Sequence, residues 1–314
     1  MLTLDDILLA RDFSSVSERA LRHALELAAR TGARLHVLHA EVLHDLEEQD
    51  RPAPTDGIDA LRTELKETGA APAEAIDAVE IEAVTRRDVS PAPALLRYAD
   101  EEDIDLIVLG THGRRGPSRI LLGSVAEEVV RRAEQPVLTV RGEDDGGRAT
   151  PVGLLDRILV PVDFSDYARE ALRTAAEWAR LYDARIDVLH AFEEDLHPAF
   201  YMGGVRSVYD VEPDLDEKIE AKLREFASET VGSDEGITPH VRTGSAPSEI
   251  AEFVDEHGVD LVTLSTHGRT GLQRFLLGSV AEKVVRHVRC PVLTVKAFGR
   301  SIVSPDPTAT SASA

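Results

Sequence analysis

Two glycine-rich segments of this chain combine residue types and spacing that could do chemistry. Residues 110–140 read GTHGRRGPSRILLGSVAEEVVRRAEQPVLTV, and residues 265–295 read STHGRTGLQRFLLGSVAEKVVRHVRCPVLTV. The segments are offset by 155 residues, and about two thirds of their positions are identical. They share mainly glycines, small hydroxyl residues and the spacing between them. This pattern indicates a loop shaped around an anionic ligand.

The small residues of the first segment have different predicted roles. Gly110 closes a strand, and Gly113 allows the backbone to approach a ligand or to take a positive φ. Gly123, Ser124 and Val125 open a helix whose free N–H groups and dipole favour an anion. The equivalent residues of the second segment are Ser265, Gly268, Gly278, Ser279 and Val280.

A capping box explains part of the pattern without any ligand. Ser124 with Glu127, and Ser279 with Glu282, have the spacing of a helix N-cap that bonds reciprocally with its third residue. The capping box does not explain the retained glycines or the interval between them. Arginines in a glycine-rich loop of an acidic chain favour a phosphate ligand, although each alone could be a solvated surface charge. Those retained in both segments are Arg114, Arg119, Arg269 and Arg274.

An Asp-Phe-Ser triplet follows the first predicted strand of each half, at Asp12 and Asp163. A carboxylate at a strand end could accept a hydrogen bond from a ribose hydroxyl, or hold a metal ion bridged to phosphates. It could instead be an N-cap or turn aspartate that opens the following helix, although Ser14 or Ser165 could fill the capping role. At the ends of the second strands, the backbone of Ala40 and Ala191 could meet the edge of an adenine ring.

The elements that must position these residues alternate between strand and helix patterns. Such alternation predicts βαβ units and a parallel sheet. We expect an α/β fold in which each half is an open, doubly wound sheet of five strands with helices on both faces. The predicted strands are 7–11, 34–40, 78–84, 105–110 and 136–140, then 157–162, 185–191, 237–242, 260–265 and 291–296. The predicted helices are 15–31, 57–68, 91–102 and 124–133, then 166–182, 213–230, 246–257 and 279–288.

The repetition extends over nearly the whole chain of 314 residues, because ILLARDFS at 7–14 matches ILVPVDFS at 158–165. We therefore expect two domains, at 1–142 and 156–298, joined by a linker at 143–155. The low-complexity segment 299–314 is predicted to be a disordered tail.

Composition restricts the partners and the location. The net charge is −22, from 57 acidic and 35 basic residues, and such a surface repels nucleic acid. The acids either bind a cationic partner or keep the surface solvated in concentrated salt, and their even spread favours the second explanation. No signal-peptide pattern and no apolar run of membrane-spanning length occurs. One cysteine excludes an internal disulfide framework. We expect a cytoplasmic protein without a membrane partner.

This constellation resembles the universal stress protein family, over almost the whole chain, as a tandem two-domain member. The sequence G-x-x-G-x9-G-[ST] is similar to the family's ATP-binding signature and is complete at Gly110, Gly113, Gly123 and Ser124. The resemblance implies a Rossmann-like fold of the adenine nucleotide alpha hydrolase type and a stress-linked regulatory role. It implies ATP as ligand, usually with a divalent ion such as Mg²⁺ or Mn²⁺. It maps an acidic site residue onto Asp12 and Asp163, and adenine contacts onto Ala40 and Ala191.

The resemblance also implies dimers paired through the last strand. Because that strand reads PVLTV in both halves, the halves could pair within one chain as a pseudo-dimer, and a homodimer is also open.

The two halves depart from the family pattern at different positions. Ser265 replaces the first glycine in the second half, whereas Ala10 and Arg11 replace Pro161 and Val162 in the first. Because its phosphate-loop signature is complete, we expect the first half to bind nucleotide more surely.

The function expected is nucleotide binding in regulation, with little or no turnover and no assigned catalytic residue. Neither loop contains a lysine, a GxxxxGK[ST] sequence or a carboxylate pair typical of a committed metal catalyst. Two alternatives stay open. One is a slow ATPase or nucleotidyl-transfer enzyme, and the other is a ligand-free interaction scaffold.

Overall fold

The structure is a computed structural model, and it describes residues 2–42, 52–112, 122–142, 153–194, 206–266, 277–296 and 299–303. The described part of the first half alternates strands and helices as predicted. Its strands are β1 (Asp6–Ala10), β2 (Arg34–Val42), β3 (Ile81–Asp88), β4 (Leu106–Gly110) and β5 (Val137–Val140). Its helices are α1 (Ser15–Thr31), α2 (Ile58–Thr68), α3 (Ala73–Ala78), α4 (Pro91–Glu101) and α5 (Ser124–Arg132).

The second half repeats this order. Its strands are β6 (Arg157–Pro161), β7 (Arg185–Phe192), β8 (Ile237–Thr243), β9 (Leu261–Ser265) and β10 (Val292–Val295). Its helices are α6 (Asp166–Tyr182), α7 (Leu215–Val231), α8 (Ala246–His257) and α9 (Ser279–His287), and a short 3-10 helix covers Val208–Asp210.

The ten strands of the described residues form one sheet, in the order β3-β2-β1-β4-β5-β10-β9-β6-β7-β8. Within each half the pairing is parallel, which confirms the predicted fold class. The halves meet where β5 and β10 pair antiparallel, with Leu138 opposite Leu293. The last strand of each half is thus a central strand of the whole sheet.

Helices cover both faces of the sheet, as expected of buried parallel strands. Successive residues of β1 show this, because Ile7 and Leu9 belong to one apolar cluster and Leu8 to the other. The first cluster contains residues of α1, α2, α3, α6 and α7, and the second contains residues of α4, α5, α8 and α9. The helices α5 and α9, which follow the glycine-rich loops, therefore lie on the same face.

Local signals explain why α1 begins and ends where it does. The Ser14 side chain accepts a hydrogen bond from the Ser17 N–H at the N-terminus, and Gly32 ends the helix in the left-handed region, with φ 79°. The structure differs from prediction around residue 78. Pro72 precedes α3, and Ile76 of that helix is fully buried, so β3 begins only at Ile81.

Residues 299–303, at the start of the predicted tail, pack against the start of the chain. Leu2 and Val303 form an antiparallel bridge, and the Thr3 N–H donates to the Ile302 carbonyl oxygen at 2.8 Å. The Ile302 side chain is 1% exposed. Its apolar burial stabilises this contact, although the composition of the segment is of low complexity. Residues 304–314 lie outside the described part of the chain. Among described helices, none is long and apolar enough to cross a membrane.

Candidate functional site

The carboxyl ends of the strands bring most of the predicted site residues to one edge of the sheet. In the first half, β1 lies between β2 and β4, and the connections that follow β1 and β4 lead in opposite directions along the sheet. Such a switch point is where open α/β sheets bind ligands. Asp12, Ala40, Gly110 and the N-terminus of α5 all follow or end these strands. In the second half, β6, β7, β9 and α9 place Asp163, Ala191, Ser265 and Gly278 at the equivalent edge.

The two aspartates are held by the serines that follow them. Asp12 Oδ1 accepts hydrogen bonds from the Ser14 N–H at 3.0 Å and the Ser14 hydroxyl at 2.6 Å. Asp163 Oδ1 accepts the same pair from Ser165, at 3.0 Å and 2.5 Å. The serines cap the helices, so the aspartates are not N-caps, but each accepts a hydrogen bond from the N–H two residues on, as a turn aspartate does. The serine hydroxyls also bond to the carboxylates and orient them at the end of the strand.

The residue between each aspartate and serine has an unusual backbone. Phe13 and Phe164 have φ values of 61° and 62°, in the left-handed region that costs a bulky side chain roughly 1–3 kcal/mol. Each ring packs against a histidine, with centroids 5.0 Å apart for Phe13 and His39 and 4.8 Å for Phe164 and His190. The strain therefore occurs at the same turn in both halves, directly beside the aspartate.

The histidines hold this turn from the second strand. His39 Nδ1 lies 2.8 Å from the Arg11 carbonyl oxygen, and His190 Nδ1 lies 2.7 Å from that of Val162. Because a carbonyl only accepts, Nδ1 is the protonated nitrogen of each ring. The histidines thus pack and tie β2 to the end of β1, and β7 to the end of β6.

Gly110 is needed where α1 approaches the end of β4. A Cβ atom at this position would lie 2.7 Å from Val16 Cγ1, closer than two carbon atoms approach. The equivalent position is Ser265, and the residue four after Asp163 is Tyr167 where the first half has Val16. Helix packing is therefore one reason for the glycine in the first half.

Gly123 and Gly278 lie directly before α5 and α9, where the chain returns to the end of β4 and of β9. The Gly123 N–H donates to the Thr111 carbonyl oxygen, and the Gly278 N–H to that of Thr266, both at 2.8 Å. A Cβ atom at Gly123 would lie 3.0 Å from the same Thr111 oxygen, and one at Gly278 would lie 3.2 Å from the Thr266 oxygen. The close return of the backbone favours glycine at both places.

The predicted capping boxes are wrong. Gly123 is the N-cap of α5, no side chain bonds to that cap, and the first helical bond joins the Glu127 N–H to the Gly123 carbonyl at 2.9 Å. Ser124 is therefore the first helical residue, and its side chain is exposed. Within the described residues, the N–H groups of Ser124 and Val125 have no acceptor. The same holds for Ser279 and Val280, after the N-cap Gly278.

A half-buried apolar surface adjoins the start of α5. Ala10, Ala40 and Val125 all pack against the cluster that α4 and α5 cover, and all three are partly exposed. Ala191, at the end of β7, is also half-buried. The edge of the first half therefore brings together apolar contact, a carboxylate and backbone donors that have no acceptor among the described residues.

Arg11 contributes a contact that the sequence did not predict. Its guanidinium donates to both Glu18 carboxylate oxygens at 2.9 Å and to the Pro54 carbonyl at 2.6 Å, and the residue is 6% exposed. The one feature of the sequence that could have indicated this contact is a basic residue, Arg11, at the end of an apolar strand. The second half has Val162 there, so this clamp on the loop before α2 belongs to the first half alone.

Four predicted site residues, Gly113, Arg114, Gly268 and Arg269, lie outside the described part of the chain, as do Arg119 and Arg274. Among the residues that are described, no group of three or more His, Cys, Asp or Glu side chains could hold a metal ion.

Comparisons with known proteins agree with this geometry. The model of the universal stress protein family matches residues 3–141 and again 155–296. A universal stress protein of Methanocaldococcus jannaschii is 32% identical over 148 residues, which cover 46% of this chain and 83% of that protein. The universal stress protein YxiE of Bacillus subtilis is 30% identical over 151 residues, covering 46% of this chain and 100% of YxiE.

Solved structures share the fold over both halves. A protein of unknown function from Pseudomonas aeruginosa superposes with a TM-score of 0.64 at 23% identity, covering 94% of this chain and 93% of that one. A universal stress protein from Archaeoglobus fulgidus gives a TM-score of 0.58 at 21% identity, covering 94% and 97%. Because the family model matches both halves and most of the residues, this chain belongs to the universal stress protein family, with two copies of the family's domain in tandem.

Proposed function

We propose that this protein binds an adenine nucleotide, ATP, at the carboxyl edge of its sheet, and acts in the stress response as a regulatory protein with little or no turnover. Family membership supports the role in stress response. One observation carries the nucleotide proposal. At the switch point of each half, a helix begins after a glycine N-cap. The N–H groups of its first two residues lack an acceptor among the described residues.

The phosphates would meet the N-terminus of α5. Its dipole and the N–H groups of Ser124 and Val125 favour an anion, and the exposed Ser124 hydroxyl adds a donor. Gly113 and Arg114 would complete the cradle, an assignment that rests on the sequence motif alone. The fit depends on Gly123, because a side-chain cap at that position would compete for the donors that the phosphates need.

The nucleoside would lie over the half-buried surface of Ala10, Ala40 and Val125. Such an apolar patch suits the face of an adenine ring, and the backbone of Ala40, near the end of β2, suits its ring nitrogens. Asp12 suits the ribose, because a carboxylate held at the end of the strand by Ser14 can accept hydrogen bonds from hydroxyl groups. The strained Phe13 turn fixes the direction of this carboxylate.

A divalent ion would be held chiefly by the phosphates. Magnesium commonly binds through one or two protein carboxylates together with substrate phosphates and water. Asp12 in the first half and Asp163 in the second are the carboxylates that fit this role. When bound, such an ion would neutralise phosphate charge in a chain whose net charge is −22.

The second half presents a related but altered site. Its proposed contacts are Asp163, Ala191, Ser265, Gly268, Arg269, Gly278, Ser279 and Val280. Ser265 replaces the glycine at the strand end, so its phosphate-loop signature is incomplete. We propose that the first half binds nucleotide more tightly, and that the two domains are 1–142 and 156–298.

Nucleotide released on denaturing the purified protein tests the proposal. We expect an adenine nucleotide in the supernatant and a rise in the unfolding temperature when ATP is added to stripped protein. Absence of both would favour a ligand-free scaffold. Robust turnover with Mg²⁺ or Mn²⁺ that is lost in Asp12→Asn would favour the slow-ATPase alternative.

A further inference from the structure

Each half ends its last strand with a buried cation that reaches into the other half. Arg141 follows β5 and Lys296 follows β10, at positions 155 residues apart in the repeat. The two residues are 6% and 9% exposed. Basic side chains are seldom so buried unless they are paired, so their partners are informative.

Both cations bind the C-terminus of a helix across the junction. Lys296 Nζ donates to the carbonyl oxygens of Val130 at 2.6 Å and Arg131 at 3.0 Å, in the last turn of α5. Arg141 Nη1 donates to the carbonyl oxygen of Val288 at 3.0 Å, at the C-cap of α9. The last carbonyls of a helix lack helical partners and carry partial negative charge, which a cation stabilises.

Burial lowers the pKa of Lys296 to about 8. The ammonium form therefore predominates at neutral pH, and Lys296 acts there as a cation.

The opposite ends of these two helices are the proposed phosphate sites. The helix α5 has nine residues, a length of about 13 Å, so a shift of its C-terminus is carried to its first turn. The first turn of α5 belongs to the first-half site, but Lys296 belongs to the second half. The first turn of α9 belongs to the second-half site, but Arg141 belongs to the first half.

Backbone hydrogen bonds join each cation to the site of its own half as well. Beside Arg141, the Val140 carbonyl accepts from the Thr111 N–H at 2.9 Å, and the Thr111 carbonyl accepts from the Gly123 N–H at 2.8 Å. Beside Lys296, the Val295 carbonyl accepts from the Thr266 N–H at 3.0 Å, and Thr266 in turn accepts from Gly278 at 2.8 Å. A continuous path thus leads from α5 through Lys296 to α9, and back through Arg141.

We propose that Lys296 and Arg141 are positioning residues, each of which sets the ligand-facing helix of the opposite half and so couples the two nucleotide sites. This inference rests on the proposed function. Because thermodynamic coupling is reciprocal, ATP at either site changes the affinity of the other by the same factor.

Full-length variants titrated with ATP in a calorimeter test the crossed arrangement. The Asp163→Ala background reports the first site, and the Asp12→Ala background reports the second. In the first background, Lys296→Met should weaken ATP binding roughly threefold to tenfold and Arg141→Met less than about twofold. The order should reverse in the second background. Lys296→Arg retains the charge and should restore most of the affinity.

Hydrogen exchange provides a second readout that needs no nucleotide. In Lys296→Met we expect faster exchange in 124–132 and unchanged exchange in 279–287, whereas a merely global loss of stability would affect both helices. Equal weakening of both sites by either variant, or weakening confined to the variant's own half, would overturn the inference. If the wild-type chain binds no ATP, the proposed function fails, and the exchange result still decides whether Lys296 holds α5.

Discussion

At the scale of single residues, Ser14 connects the fold to the proposed site. Its hydroxyl caps α1 and also donates to Asp12, so one side chain fixes the helix start and the carboxylate direction. We expect Ser14→Ala to lower the free energy of unfolding by about 1 kcal/mol. ATP affinity at the first site should fall, because Asp12 loses the hydroxyl donor that helps to orient it and keeps only the Ser14 N–H. Calorimetry and urea unfolding measure the two effects.

The matched control is Ser165→Ala, which makes the same change in the second half. It should cost similar stability and leave the first site unchanged. Equal ATP affinity in Ser14→Ala and the wild type would show that the carboxylate does not contact the ligand.

His23 makes stability depend on pH. Burial, with smaller contributions from Arg19 and Arg22, lowers the pKa of His23 to about 4 from 6.5. Between these values the unfolded chain binds the proton and the folded chain does not, so stability is lost as pH falls through this window. Between pH 7 and pH 5 the loss from this group is about 2 kcal/mol.

Comparing His23→Leu with the wild type isolates this effect, since other groups contribute equally to both proteins. In urea unfolding, the variant should lose about 2 kcal/mol less than the wild type on going from pH 7 to pH 5. Parallel pH dependence in the two proteins would show that His23 has the same pKa in the folded and unfolded chains.

At the scale of elements, α1 and α6 meet through a buried polar contact between the halves. The Tyr182 hydroxyl donates to Glu26 Oε2 at 2.8 Å, and Arg30 pairs with the same carboxylate while its guanidinium lies 4.6 Å from the Tyr182 ring centroid. Burial raises the pKa of Glu26, which the bonds from Arg30 and Tyr182 partly offset.

We expect Tyr182→Phe to lower the free energy of unfolding by roughly 1–3 kcal/mol, because a buried carboxylate loses a donor. Tyr209→Phe is the control, since that hydroxyl bonds to Asp216 and Thr243 at an exposed place. Its cost should stay within about 0.5 kcal/mol. Equal costs in urea unfolding would contradict the importance of the contact between α1 and α6.

Local signals explain why so many elements could be predicted from the sequence. The helix α1 combines an apolar stripe with Ser14 before it and Gly32 after it, and its bounds agree with the prediction of 15–31. The helix α3 was missed because its six residues are too few to show a helical period.

The candidate site was predictable in part. Repetition located Gly110, Gly123 and the aspartates, but Gly110 is explained by contact with Val16, which lies 94 positions away and leaves no local pattern. The capping box was mistaken because Gly123, one residue earlier, takes the cap position. Lys296 was missed for the same reason as Gly110, since its partner Val130 is 166 positions distant.

At the scale of the whole molecule, the surface charge makes stability depend on salt. A net charge of −22 repels itself, and this repulsion is screened within about 3 Å at 1 M salt. We expect the urea midpoint to rise between 0.1 M and 2 M KCl. An unchanged or lower midpoint would contradict a surface adapted to salt and would favour a cationic partner as the reason for the acids.

The tandem arrangement makes the number of bound nucleotides a property of the whole chain. We propose that both carboxyl edges bind an adenine nucleotide, the first more tightly. Calorimetric titration of stripped, full-length protein with ATP measures this directly. We predict two ATP per chain, loss of the tighter site in Asp12→Ala, and loss of the weaker site in Asp163→Ala. Saturation that is unchanged by either substitution, or no binding by the wild type, would contradict the claim.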